Sequence, residues 1–418
     1  MAQLSDDCFA HDRALLPVEE AARLMIAHVP PVEESETVAL DDSLGRVAAE
    51  NVIAPIALPS FDNSAVDGFA VRHSDVGASA ETRFKIVERV LAGARPARAL
   101  AAGEAARVFT GAPMPAGADT VYMQEDCRIE GDAVIVPPGL KLGANRRLVG
   151  EDLRPGAVAI PAGRRLKPQD VALAAALGID AIKVRRRVRV ALFSTGDEIV
   201  EPGRPLPPAA LYDANRHLLL GLLRRLGAEA DDLGILADDP EILVRAIDGA
   251  ARGHDLVLTT GGVSTGEADH VKTAVEQLGR LVFWRVGIKP GRPVAMGTIR
   301  GAAFAGLPGN PVAVFVTFAY VVRPLLLRLA GAVPEPLTAL PVRTAFAYKK
   351  KKARREYVRV ALRRAADGAL EAVKHPQEGA GVITSLTETD GFLELPEEVT
   401  EIAPGTMAGF LSYQSLIN

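Results

Sequence analysis

Residues 188–330 alternate between short apolar runs and amphipathic stretches, and this alternation limits the possible folds more than any other feature of the chain. Strands alternating with helices are typical of βαβ units, which build a mainly parallel sheet. The predicted strands are Val188–Phe193, Glu229–Leu236, Asp255–Thr260 and Leu281–Val286, and the predicted helices are 215–226, 240–252, 268–279 and 310–330. We therefore expect a doubly wound α/β domain, with Val294–Met296 and Ala302–Ala305 forming a hairpin extension.

The remainder of the 418-residue chain differs in texture and is long enough for further domains. Residues 55–145 are dense in glycine, proline and short strand-like runs, which predicts a β-rich insertion domain. The segments 1–54 and 146–187 contain helical pieces and are interpreted as one elongated domain that the insertion interrupts. With residues 188–332 as the α/β domain, residues 333–418 contain no long helical pattern and predict a terminal β-barrel-like domain.

Composition excludes several classes of protein. The formal net charge of −4 argues against nucleic acid or an anionic membrane as the main partner. Two cysteines without CxxC spacing predict neither a disulfide framework nor a thiolate metal site. The longest apolar run, Val312 to Val322, is too short to span a bilayer, and the acidic N-terminus lacks an apolar signal core. We expect a cytoplasmic protein.

Glycine-rich or charged segments follow the carboxyl end of each predicted strand, where open parallel sheets bind ligands. They are Ser194–Glu198, Asp238–Pro240, Gly261–Gly262, Lys289–Pro293 and Leu307–Pro311. At Gly261–Gly262, backbone amides can approach an anion without a Cβ in the way, and a predicted helix begins soon after. Carboxylates beside that turn, such as Glu267 and Asp269, suit Mg²⁺. These loops predict a site for a phosphorylated ligand and a divalent metal.

Several of these residues also have a purely structural interpretation. Asp239 precedes Pro240, so a helix N-cap is as well supported as a functional role. Asp213 and Asn215 are predicted to be caps, and His270 is predicted to be a helix-start residue.

Two further groups lie outside the α/β domain. Asp67, in the polar turn of residues 60–70, and the turns at 109–113 and 150–152 have the composition of Asx turns, and the sequence does not choose between structure and function. The basic run Lys349–Lys352 is predicted to be a solvated hairpin tip.

Taken together, these motifs closely resemble the MoeA family, the molybdopterin molybdenumtransferases related to the E domain of gephyrin. The resemblance covers nearly the whole chain and rests on eight motifs in family order: Phe61–Val71, Phe109–Asp126, Gly150–Leu153, Leu192–Val200, Tyr212–Arg216, Asp255–Lys272, Lys289–Pro293 and Leu307–Pro311. It implies a four-domain homodimer whose cleft is shared between the α/β domain of one subunit and the insertion domain of the other.

The implied reaction takes adenylylated molybdopterin and molybdate, inserts molybdenum with the help of Mg²⁺, and releases AMP. The implied partners are a molybdopterin adenylyltransferase and downstream cofactor-accepting proteins. The resemblance implies catalytic roles for Asp67, Glu198, Asp269 and Lys289, and it implies Mg²⁺ ligation by Glu198, Asp239 and Asp269. The substrate-binding residues it implies are Thr110, Asp152, Thr260, Gly261, Gly262, Ser264, Arg292, Pro308, Gly309, Asn310, Arg354 and Ser385.

The chain departs mildly from the family pattern. Ala353 stands where the family usually has glycine, and Arg292 occupies a position often filled by lysine. Two other functions were weighed against the transferase: a non-catalytic scaffold on the same fold, and a nucleotide-binding hydrolase. The intact set of carboxylates disfavours the scaffold. The absence of GxxxxGK[ST], and of GxGxxG in its strand–helix setting, disfavours ordinary ATP or NAD use.

Overall fold

The computed structural model describes residues 17–27, 29–262, 270–291 and 293–417. Its centre is a six-stranded sheet. The strand order is Glu229–Leu236, Arg189–Thr195, Leu256–Thr260, Ala302–Leu307, Pro293–Ile299 and Gly279–Arg285. The first four strands pair in parallel, and the last two form antiparallel pairs. The predicted mainly parallel α/β sheet is confirmed.

The predicted hairpin is confirmed, since Pro293–Ile299 and Ala302–Leu307 pair antiparallel, but its position in the sheet differs from the prediction. Ala302–Leu307 is not part of an extension; it lies inside the sheet, paired in parallel with Leu256–Thr260. Gly279–Arg285 takes the edge instead. All six residues of Ala302–Leu307 are buried, because a short apolar run without alternation suits a strand covered on both faces.

Helices cover both faces of the sheet and confirm the predicted helical segments. They are Asn215–Arg225, Pro240–Gly253, His270–Leu278 and the composite helix Pro311–Thr317, Phe318–Val322 and Arg323–Leu329. The middle piece of the composite helix is a π-helix. It ends two residues before Pro324, which has no N–H to donate to the preceding turn, so a local change of hydrogen-bond register is expected there.

Alternating side chains of the central strands feed two separate cores. Leu192 and Leu258 pack on the face covered by the composite helix, whereas Phe193 and Val257 pack on the opposite face. The composite helix Pro311–Leu329 spans 19 residues, longer than the apolar run seen in the sequence, and by length and composition it could cross a membrane. Because 83% of its apolar window is buried inside the protein, its apolarity is accounted for by the core.

The insertion contains a second six-stranded sheet. Its order is Thr120–Met123, Gly68–Val71, Glu104–Val108, Thr82–Val90, Ala133–Val136 and Arg128–Glu130. On either side of it, Ser35–Ala39 pairs with Ala181–Arg185 and Val52–Ile53 pairs with Val158–Ile160, so the two flanking segments are joined by backbone hydrogen bonds. The flanks also hold the helices Val18–Ala27 and Pro168–Ala176.

The segment after the first helix belongs partly to the α/β core. Val29 and Val32 are buried in that core, and the amide of Val32 donates to the carbonyl of Leu329 at 2.8 Å.

The C-terminal sheet closes on itself. Its strands Leu340–Thr344, Arg355–Arg364, Leu370–Lys374, Gly391–Leu395 and Met407–Ser412 each pair with two neighbours, which confirms the barrel-like domain. Ile288–Lys289, from the α/β domain, pairs in parallel with Arg355–Glu356 and ties the two domains together. The short remaining pieces are Asn63–Ser64 with Arg146–Arg147, Ile199–Val200 with Leu211–Tyr212, Tyr348–Lys349 with Glu401–Ile402, and the single helical turns Leu40–Asp42, His73–Asp75, Gln124–Asp126, Thr384–Thr387 and Tyr413–Leu416.

Candidate active site

The carboxyl ends of the central strands meet the C-terminal barrel at a cleft of about 610 Å³. The α/β domain contributes Glu198, Gly261, Gly262, Lys289, Pro308, Gly309 and Asn310, all of them predicted site residues. The barrel contributes mainly charged and polar residues: Tyr348, Arg354, Glu356, Arg359, Lys374, His375, Gln377 and Glu378. Loops far apart in sequence therefore form one site, as strand order at a parallel sheet edge predicts.

The two-glycine turn fits the cleft only because it has no side chains. Gly261 has a φ of 85°, and a Cβ there would lie 2.4 Å from the carbonyl oxygen of Thr195. The Gly261 amide donates to the carbonyl of Leu307 at 3.2 Å, so it is committed to the protein and does not point to an anion. Thr260 is buried, and its hydroxyl donates to the carbonyl of Pro308 at 3.1 Å. The Thr260 hydroxyl and the Gly261 amide therefore hold the loop, and the anion cradle expected of the Thr260–Gly262 amides stays a prediction.

Asn215 binds two of the site loops together. Its amide nitrogen donates to the hydroxyl of Thr260 at 3.1 Å and to the carbonyl of Gly309 at 2.7 Å. The prediction that Asn215 is a cap is wrong, because Ala214 holds the N-cap position of that helix and has no capping side chain. Asp213 does make a capping contact, since its carboxylate accepts from the amide of Arg216 at 3.1 Å.

Two adjacent aspartates at the start of the helix Pro240–Gly253 have different roles. Asp239 is the N-cap, and its carboxylate accepts from the amide of Ile242 at 2.9 Å. Of the two roles considered for Asp239, the structure shows the cap. Asp238 has one carboxylate oxygen buried without a hydrogen-bond partner among the described residues. Burial raises the pKa of Asp238, the nearby carboxylates of Asp197 and Glu198 raise it further, and His270 opposes them.

The acidic group matches part of a Mg²⁺ site. Among the residues that the structure describes, no three His, Cys, Asp or Glu side chains are grouped closely enough to enclose a metal ion. Mg²⁺ in phosphoryl-transfer sites is usually held by only one or two carboxylates, with substrate phosphates and waters supplying the rest. The unpartnered oxygen of Asp238 beside Glu198 is a donor set of that kind. His270 is the first described residue of the helix His270–Leu278, and Glu267 and Asp269 lie outside the described residues.

A cluster of cations forms the opposite part of the cleft. The ammonium of Lys289 lies 3.1 Å from a carboxylate oxygen of Glu356, and the Nε of Arg354 donates to the other oxygen at 3.0 Å. Arg359 is buried, and it donates to the carbonyls of Gly379 and Gln377 at 2.8 and 3.2 Å. Burial lowers the pKa of Arg359. These residues place three cations at the cleft of a protein of negative net charge, with one buried carboxylate between Lys289 and Arg354.

Sequence reasoning missed Arg359 and favoured Ser385 in the same domain. Ser385 is buried and does not line the cleft, because its hydroxyl bonds to the carbonyl of Val382 within its own turn. The available signal for Arg359 was a charged residue in an otherwise apolar strand, Tyr357–Val360, of a domain expected to form a barrel.

Three predicted residues lie in or next to the insertion domain and do not line this cleft. One carboxylate oxygen of Asp67 accepts from both the amide and the hydroxyl of Thr110, each at 2.8 Å. These hydrogen bonds lower the pKa of Asp67. The amide of Asp152 donates to the carbonyl of Leu58 at 3.0 Å. Ser264 and Arg292 lie outside the described residues.

Family comparisons agree with this architecture. Profiles described as the MoeA N-terminal region (domain I and II), a probable molybdopterin binding domain, and the MoeA C-terminal region (domain IV) match residues 16–178, 191–328 and 341–412. The chain belongs to the MoeA family. A molybdopterin molybdenumtransferase of Haemophilus influenzae is 41% identical over 318 residues, covering 76% of this chain and 78% of that protein.

Relatives that match nearly end to end give the same result. The molybdopterin molybdenumtransferase of Synechococcus elongatus is 35% identical over 402 residues, which is 94% of this MoeA chain and 98% of the relative. The crystal structure of a molybdopterin biosynthesis MoeA protein from Pyrococcus horikoshii OT3 superposes with a TM-score of 0.80 at 29% identity. It covers 96% of this chain and 100% of its own. The curated relatives are transferases by name.

Proposed function

We propose that this MoeA-family protein is a transferase of molybdenum cofactor biosynthesis that inserts molybdenum into adenylylated molybdopterin and releases AMP. One observation carries the proposal: Lys289, Arg354 and Arg359 line the same cleft as Glu198, and the partly buried carboxylate of Asp238 lies near Glu198. A substrate with a phosphoanhydride, together with a molybdate ion and a divalent cation, presents the charges that such a cleft can balance.

The cations and the acidic group would do different work. Lys289 and Arg354 would hold phosphate or molybdate oxygens through charge-assisted hydrogen bonds, and the planar guanidinium of Arg354 would fix their orientation. Asp238 and Glu198, with Asp269, would hold Mg²⁺. When bound, Mg²⁺ would neutralise negative charge on the phosphoanhydride as its bond to AMP breaks. Asn215 would keep the Thr260 and Gly309 loops at the spacing that the substrate needs.

Asp67 and Thr110 require a second subunit in this proposal. They pair with each other in the insertion domain and do not line the cleft of their own chain. We propose that a homodimer brings them to the partner's cleft, where Asp67 would help to place the pterin or the molybdate. The substrate would come from a molybdopterin adenylyltransferase in the cytoplasm, and the product would pass to cofactor-accepting proteins.

The test is AMP release from adenylylated molybdopterin, measured with and without molybdate and Mg²⁺ and coupled to the activation of an apo molybdoenzyme. We expect molybdate-dependent AMP release together with recovered enzyme activity. Binding without AMP release would refute the transferase in favour of a scaffold, and AMP release without cofactor formation would make the protein a hydrolase.

A matched pair of variants ties the activity to the cleft. Lys289→Gln should abolish most turnover because it removes a cleft cation. Lys183→Gln should leave turnover unchanged, because Lys183, whose side chain is similarly exposed, pairs with Glu50 in the flanking segments and does not line the cleft.

A further inference from the structure

A single buried carboxylate connects the cations of the cleft. The side chain of Glu356 is 1% exposed. One of its oxygens lies 3.1 Å from the ammonium of Lys289 and 2.9 Å from the hydroxyl of Tyr348, which donates to it. The other oxygen accepts from Arg354 at 3.0 Å. No role follows for Glu356 from the sequence motifs, although it touches the cleft groups on both sides of the domain boundary.

The backbone reinforces this connection. Ile288–Lys289 of the α/β domain forms a parallel pair with Arg355–Glu356 of the barrel, in which Lys289 lies opposite Glu356. The ion pair therefore joins residues that the backbone already holds in register. Fixing Lys289, which is 41% exposed at its side chain, restricts a flexible four-carbon chain that would otherwise sample many positions.

Glu356 is charged in the folded protein. Burial by itself raises its pKa, but hydrogen bonds from Arg354, Tyr348 and Lys289 outweigh burial and hold the pKa below its usual value. Burial raises the pKa of the Tyr348 hydroxyl, and the hydrogen bond and negative charge of Glu356 raise it further. Tyr348 therefore stays protonated and continues to donate to the carboxylate.

A buried negative charge in an anion site weakens anion binding. The charged described residues that line the cleft are the cations Lys289, Arg354, Arg359 and Lys374 and the carboxylates Glu198, Glu356 and Glu378. Their formal sum is +1 with His375 neutral, and it would rise to +2 without Glu356. The Glu356 carboxylate thus weakens anion binding in the cleft. Its presence is explained if the positions of the cations matter more than their total charge.

We propose that Glu356 is a positioning residue, which lowers the affinity of the cleft for free oxyanions in order to hold Lys289 and Arg354 in the geometry that the reaction requires. The inference rests on the proposed transferase function. It predicts opposite changes in binding and turnover when the charge of Glu356 is removed, because ground-state attraction increases while transition-state alignment is lost. A residue with a merely structural role would change stability without producing that split.

The test compares Glu356→Gln with Glu371→Gln in the full-length protein. Glu371 is a matched control because it is a 15% exposed carboxylate in the same barrel, 3.0 Å from Arg343 and also bonded to Arg363, and it does not line the cleft. Calorimetric titration with molybdate alone gives the affinity, and AMP release at saturating substrate gives the turnover. Thermal denaturation shows that each variant is folded.

We expect Glu356→Gln to bind molybdate about threefold to tenfold more tightly and to turn over at least about tenfold more slowly. Glu371→Gln should leave both quantities within about twofold of the parent protein. If Glu356→Gln does not fold, Tyr348→Phe replaces it: the charge stays, Lys289 loses a partner, and turnover should fall with molybdate affinity unchanged.

The outcomes separate the two proposals. A parent protein that neither binds molybdate nor releases AMP overturns the proposed function and the role of Glu356 with it. If the parent protein is active, parallel weakening of binding and turnover in Glu356→Gln, or no change in either, overturns the positioning role alone. Unchanged turnover in Tyr348→Phe would overturn it as well.

Discussion

Replacing Gly261 with alanine should destabilise the α/β domain and disrupt the cleft at the same point. At the observed φ of 85°, a residue with a Cβ is disfavoured by about 1–2 kcal/mol. The new Cβ would also lie 2.4 Å from the carbonyl oxygen of Thr195, a contact that requires the neighbouring strand to shift. Such overpacking typically costs about 1–3 kcal/mol. We therefore expect Gly261→Ala to lower the free energy of unfolding by about 2–5 kcal/mol.

Urea denaturation followed by circular dichroism measures this change, and Gly249→Ala is the matched control. Gly249 lies within the helix Pro240–Gly253 of the same domain, where an added Cβ meets nothing within 4 Å. Alanine there should stabilise the protein by about 0.5–1 kcal/mol, because glycine is a poor helix former. A loss below about 1 kcal/mol in Gly261→Ala would refute the assignment of the turn as sterically closed. A similar loss in Gly249→Ala would show that the domain resists any added methyl group.

Three further substitutions test separate features. Asp238→Asn should stabilise the metal-free protein near pH 8 but not below about pH 4. The pKa of Asp238 is raised in the folded state, so the stability that its protonated form contributes at low pH is lost as pH rises through that pKa, whereas asparagine stays neutral. Thermal melts across pH measure the difference in stability between the two proteins. Ala353→Gly should raise the free energy of urea unfolding by about 0.5–1 kcal/mol, since Ala353 has a φ of 60°, and an unchanged midpoint would contradict the strain. Asn215→Ala should lower the free energy of urea unfolding by about 1–3 kcal/mol, because the Thr260 hydroxyl and the Gly309 carbonyl lose the amide that donates to them.

Hydrophobic periodicity located most elements of the α/β domain because side-chain burial repeats within each strand and helix. The order of strands in the sheet has no such local signal in the sequence. The apolar run Ala302–Leu307 has the composition of a central strand, but its partner Leu256–Thr260 lies more than forty residues earlier in the chain. The short Thr298–Gly301 turn favoured a hairpin, and that hairpin is present. The hairpin lies between the parallel strands and Gly279–Arg285, and this position depends on long-range strand pairing that local sequence does not indicate.

At the site, the sequence predicted the participating loops better than the participating side chains. Glu198 and Lys289 follow strand ends, and both line the cleft. The position of Asp239 before Pro240 indicated a helix cap or a site residue, and the structure shows the cap. The sequence assigned no role to Asp238, because the burial of its unpartnered oxygen depends on the surrounding fold. Arg359 was missed because its cleft position depends on the closure of the barrel, which brings a mid-strand residue to the domain boundary.

Asp238 and Arg359, near the cleft, are of opposite charge, and burial acts against the charged form of each. Burial raises the pKa of Asp238 and lowers the pKa of Arg359. A cation alone relieves Asp238, and an anion alone relieves Arg359. A ligand that brings a metal ion and an oxyanion together offers an opposite charge to both Asp238 and Arg359. Within such a ligand the two ions partly neutralise each other, so they lose less solvation on entering the site. These two opposed shifts support the proposed function, in which an oxyanion and a divalent cation would enter the site together.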